Sequence, residues 1–180
     1  MPVSAAFSGL PTPDSQAFKC GVEAACKRQG TVRPEAAEWI AHILEACAQG
    51  RSGKVDLLVR AAGSEVTLET KKALGIRSNT RLGDRFLAAL TDNGRKDALS
   101  AALNITSEGY TIAANSTTLR IAASINSTVK ILLTCGAPRG AICSGAKTLR
   151  RKRFSADEAP MLPLSNCTAE ACDCLWIVCV

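Results

Sequence analysis

An α+β fold is what this sequence predicts, and three observations carry it. Up to about residue 103, apolar side chains recur at intervals of three and four between helix start and stop signals. From 104 to 134, period-two alternation follows Asn-containing turns, as in short antiparallel strands. Beyond 135 the chain turns basic and then cysteine-rich. The expected organisation is a flexible arm over residues 1–14, an α+β core over 15–134, and a basic segment with a cysteine-rich tail over 135–180. The helical N-terminal half is expected to hold one strand, and a small antiparallel β-meander to follow it.

The arm is rich in Pro, Ser and Gly. Asp14 or Ser15 can cap a first helix running to about Arg28, with Phe18, Val22, Ala25 and Cys26 on one face and Gln29-Gly30 as its stop. Pro34 and Glu35 open a second helix, striped by Ala36, Ile40, Ile43 and Cys47 and closed by Gly50. Residues 54–60 alternate, with Val55, Leu57 and Val59 to one side, which predicts a half-buried strand. Helical segments are expected over 66–74, 82–90 and 95–103. The recurrence of Asn104, Asn115 and Asn126, each followed by alternating apolar residues, predicts three meander strands over 110–114, 119–124 and 129–134. A turn at Cys135-Gly-Ala-Pro leads to a basic segment, helical from about Ala141.

The chain's 180 residues and 47% hydrophobic content suffice for one core, or one core with an appendage. With aromatics at 4%, platforms for stacking bases or sugars are few. The net charge of +6 and pI near 8.9 suit an anionic partner such as nucleic acid, and equally an ordinary solvated surface. The opening residues lack a cationic, apolar leader, and no run reaches the roughly 18 apolar residues of a membrane span. A cytoplasmic location and no membrane partner are therefore expected. Nine cysteines, an odd number, argue against a full disulfide framework. Cys20, Cys26 and Cys47 fit as small buried side chains.

The sharpest chemical pattern is C-x4-C-x-C-x4-C at Cys167, Cys172, Cys174 and Cys179. Four thiols are what a closed tetrahedral zinc site requires. The same cysteines can instead pack as reduced apolar residues, or act as a redox pair. The apolar ending, residues 175–180, should pair with the sheet, fill a groove, or meet a protein partner or second copy. The pattern R-F-x5-P-x-L-P-L-x2-C-x4-C-x-C over residues 153–174 resembles the C-terminal ends of certain small bacterial proteins of unknown role, and that resemblance implies no activity.

Lys147, Arg150, Arg151, Lys152 and Arg153 place five cations in seven positions, a candidate nucleic-acid contact. Residues 68–90 also invite comparison with a helix-turn-helix, with Arg81 and Arg85 on the second helix. No Walker loop, G-x-G-x-x-G or G-x-S-x-G motif occurs. The single histidine, His42, has no partner at a catalytic or metal-binding spacing. Glu35/Glu38 and Asp157/Glu158 fit helix-terminal and loop charge rather than an acid/base pair. The leading expectation is a non-enzymatic nucleic-acid-binding protein with a zinc-held tail. A tail-docking interaction module and a redox-active thiol protein are the alternatives.

Overall fold

Among the described residues, helices predominate from Ser15 to Ile125, and a small antiparallel sheet follows. The computed structural model describes residues 11–50, 54–125, 128–135 and 143–179, so most of the predicted arm, Ala141 and Val180 lie outside the described residues. Helix α1 (Ser15–Gln29) starts where its cap was expected, since the Asp14 carboxylate accepts from the Ala17 N–H at 2.8 Å. Gly30 ends it at φ 63, the left-handed conformation that glycine adopts without steric cost. A 3-10 turn at Pro34–Ala36 leads into α2 (Ala37–Ala48), which buries Ile40, Ala41 and Leu44.

Residues 54–60 depart from the expected strand. They form helix α3 (Val55–Arg60), with Val59 fully buried and Val55 packed against the same core. Over six residues, a Val55/Val59 pair satisfies the helical period as well as the two-residue one.

Helices α4 (Leu68–Ala73), α5 (Asp84–Ala89) and α6 (Asp92–Lys96) are short. They do not make a helix-turn-helix. Arg81 precedes α5, and α5 spans only six residues. The Arg85 guanidinium lies over the Trp39 ring at 4.8 Å, engaged within the chain. Lys71 is buried and donates to Glu65 Oε1 at 2.5 Å and to the Ser78 carbonyl at 3.1 Å.

The largest departure is helix α7 (Ala98–Ile125), 28 residues long. It absorbs the predicted strands 110–114 and 119–124. Its buried residues, Ile105, Thr106, Glu108, Gly109, Thr111 to Asn115, Thr117 and Thr118 among them, occupy every side of the helix, so no single apolar stripe marks it. The eleven-residue spacing of Asn104 and Asn115 fits a helix, because eleven residues make about three turns, and Asn126 lies outside the described residues. Helix α1 crosses α7 where two glycines meet. A Cβ on Gly21 would stand 2.4 Å from the Gly109 carbonyl oxygen. The first core gathers Phe18, Val22, Ile40, Leu44, Phe86 and Ile105 around this crossing.

The sheet comprises β1 (Lys130–Cys135), β2 (Arg153–Phe154) and β3 (Cys174–Cys179) in the order β2-β1-β3, antiparallel throughout. Only β1 coincides with a predicted strand, 129–134. Residues 175–179 of the apolar ending pair with β1, one of the three fates expected for it. Strand alternation turns Ile131, Leu133, Cys174 and Trp176 onto a second core that also holds Leu162, Ala146 and Ala122 of α7. Helix α8 (Ser144–Leu149) supplies Ala146. No helix among the described residues is long and apolar enough to cross a membrane.

Candidate functional site

Strand register brings one thiol pair face to face. Cys135 on β1 stands directly opposite Cys174 on β3, with their Sγ atoms 2.8 Å apart. Cys172 lies just before β3, and its sulfur shares hydrogen bonds with Cys174 and Cys167. The bond from Cys174 lowers the Cys172 thiol to about 7, against the effect of burial. The same bond, with burial and Cys135 adding, drives Cys174 upward. Burial pushes Cys167 up to about 11 and also raises Cys135. Cys143 is buried beside them, and its sulfur accepts from the Ala146 N–H at 3.4 Å to cap α8.

The four-thiol set expected to hold zinc is not assembled. Cys167, Cys172 and Cys174 are neighbours, but Cys179 sits five residues along β3 from Cys174. Five residues of strand span about 17 Å, and the odd spacing turns Cys179 to the opposite face. Among the described residues, no three His, Cys, Asp or Glu side chains are placed to hold one ion.

Two buried polar residues on α7, neither of them a candidate site residue in the sequence-based expectations, fasten the cysteine segment. Glu108, 0% exposed, binds the Arg28 guanidinium through both carboxylate oxygens. It also accepts from Gln29 Nε2 at 3.0 Å and from the Cys172 N–H at 3.2 Å. Arg28 in turn donates to the carbonyls of Ala169 at 3.1 Å and Glu170 at 2.7 Å. Two turns further along α7, the Asn115 amide donates to the Cys174 carbonyl at 2.9 Å, and its oxygen accepts from the Trp176 N–H at 2.8 Å. Asn115 thus serves part of the free edge of β3, where turn chemistry was expected. A lone acid next to a glycine, seven residues before an Asn, was the available signal: that spacing is two helical turns on one face.

The basic residues are placed differently from the expected helical face. Lys147 is on α8, Arg150 to Lys152 form the turn after it, and Arg153 begins β2. All five are exposed, and none makes an ion pair among the described residues. Arg151 has φ 73, a left-handed backbone that costs a side-chain-bearing residue about 1–2 kcal/mol. Arg150 and Arg151 border a pocket of about 330 Å³ whose other walls include Leu132, Thr134, Cys135 and Ile177.

The remaining titratable candidates stand apart. His42 is exposed on α2. Cys20 is exposed, contrary to expectation, because it falls outside the α1 stripe. Cys47 is half-buried, and Cys26 is buried as expected. Burial, with Glu23 and Glu35 adding, pushes the Cys26 thiol up to about 12. Alkylation of the native protein should therefore label Cys20 early and spare Cys26, as peptide mapping would read. A thiol raised on folding stabilises fully below its unfolded value of about 8.5. That stability should fall as pH rises from there toward 12, and Cys26→Ala should flatten the decline.

No known protein family, curated protein or solved structure matches the chain.

Proposed function

We propose that this chain is a non-enzymatic, cytoplasmic nucleic-acid-binding protein whose contact surface is Lys147, Arg150, Arg151, Lys152 and Arg153. The supporting observation is that these five neighbouring cations are all exposed and carry no ion-pair partner among the described residues. Such a cluster can neutralise several backbone phosphates and release their counterions. A duplex suits it better than unstacked bases. The nearest aromatic, Phe154, is half-buried and sits edge-on to Trp176, with ring centroids 5.5 Å apart, so it offers no stacking face.

Docking on a partner through the tail ranks second, because residues 175–179 already pair with β1 and Trp176 is buried there. Zinc is no part of the proposal, since Cys179 does not meet the other thiols. Binding of a labelled DNA duplex, followed by fluorescence anisotropy across a salt series, tests it. Five phosphate contacts predict a slope of log K against log salt no steeper than about −4.5. Arg150→Glu/Arg151→Glu should weaken binding and make the slope shallower by about 2. Binding that ignores salt, or that the double variant leaves intact, overturns the proposal.

A further inference from the structure

Opposed cysteines on neighbouring antiparallel strands differ from the other thiols of the cluster. Directly paired residues in such a ladder have Cα atoms about 4.5 or 5.5 Å apart, and both spacings fall within the range a disulfide spans. The two sulfurs at 2.8 Å would each move only about 0.4 Å to reach bonding distance. Competing pairings fit less well. Cys172 lies before β3, outside the ladder, and has no cross-strand partner on β1. Cys143 is engaged in capping α8. Cys179 faces the other side of the sheet.

The pair also differs in access. Cys135 is half-buried and Cys174 is buried. An oxidant from solution would therefore meet Cys135 first, and Cys174 would stand behind it, shielded but in contact.

We propose that Cys135 and Cys174 are a reversible redox pair, converted to a cross-strand disulfide by a low-molecular-weight disulfide. In the first step the Cys135 sulfur attacks one sulfur of R–S–S–R. A Cys135–S–S–R bond forms, the R–S–S–R bond breaks, and one R–SH departs with the Cys135 proton. In the second step the Cys174 sulfur attacks the Cys135 sulfur. The Cys135–Cys174 bond forms, the bond between the Cys135 sulfur and the R sulfur breaks, and the second R–SH departs with the Cys174 proton. The reagent gains two electrons and the protein loses two, so no further reactant enters. The bridge staples β1 to β3 near the turn that carries Arg150 and Arg151, and excess thiol reverses it.

Oxidised glutathione is the probe, applied to the reduced, full-length protein under native conditions. The expected product has lost the mass of two hydrogens, and peptide mapping without reductant joins Cys135 to Cys174. Cys174→Ser should instead accumulate a glutathionyl group on Cys135, in addition to any on the exposed Cys20, because the second step is gone. Cys135→Ser should show no two-hydrogen loss. Mapping of the unsubstituted protein decides the matter even if a variant folds poorly. A bridge between any other pair overturns the proposal. So does a native protein that stays fully reduced while the urea-unfolded chain oxidises. A native protein that keeps all nine cysteines reduced and carries one bound zinc would overturn it too. None of these results depends on nucleic-acid binding, which stands or falls by the salt series.

Discussion

Arg28→Met is expected to lower the free energy of unfolding by about 3–5 kcal/mol, the cost of leaving one member of a buried ion pair alone. The asymmetry between the partners sets the size. Glu108 is 0% exposed, whereas the Arg28 side chain keeps 29% of its surface in solvent. Without Arg28, a carboxylate sealed inside the protein keeps only the neutral donors of Gln29 and Cys172. Without Glu108, the guanidinium can still turn to water and to the carbonyls of Ala169 and Glu170. Glu108→Gln should therefore cost less than Arg28→Met. The double replacement Arg28→Met/Glu108→Leu should recover part of the loss, because it leaves no buried charge. Urea unfolding followed by tryptophan fluorescence measures all three. An Arg28→Met protein within about 1 kcal/mol of the parent would mean that the pair does not hold the cysteine segment to the helices.

This pair also shows where the sequence was legible and where it was not. Helices α1 and α2 were readable because each buries one face and carries local punctuation: Asp14 and Gly30 for α1, Pro34 for α2. Helix α7 was not, because it lies between two cores and buries residues all round. Its Thr, Ser and Asn residues carry weak helix propensity, and alternation within short windows imitated strands. The thiol site was legible in part. Cys172 does lie beside Cys174 and beside Cys167, but spacing alone could not exclude Cys179 once β3 was extended, nor could it bring in Cys135 from 39 residues earlier in the chain. Cross-strand register supplies that partner, and register depends on long-range pairing. The basic run was legible as composition, while its exposure and its placement on a turn required the fold.

Trp176→Ala is expected to cost about 3–5 kcal/mol, the range for emptying a large aromatic from a packed interior. Trp176 is 0% exposed, faces Leu133 across the ladder, and meets Phe154 edge-on with the ring planes at 70°. It is the largest side chain buried in the second core, so its removal leaves a cavity that Leu162 and Ala146 are too small to close. The damage should be uneven. Of α7's fully buried apolar residues, only Ala122 belongs to the second core, whereas Ile105, Ile112 and Ala113 belong to the first. The far-UV circular dichroism of the helices should therefore persist, while Cys172 and Cys174 become open to alkylation as β3 separates from β1. Loss of the helical signal at the same denaturant concentration as loss of thiol protection would contradict this, and would make α7 a rigid coupling between the two cores. Asn115→Leu offers a milder comparison. It keeps the tryptophan but leaves the Cys174 carbonyl and the Trp176 N–H unpaired, which should cost about 1–3 kcal/mol. If the smaller loss exposes the same two thiols, the hold of α7 on the edge of β3, and not the volume of the indole alone, keeps the cysteines sheltered.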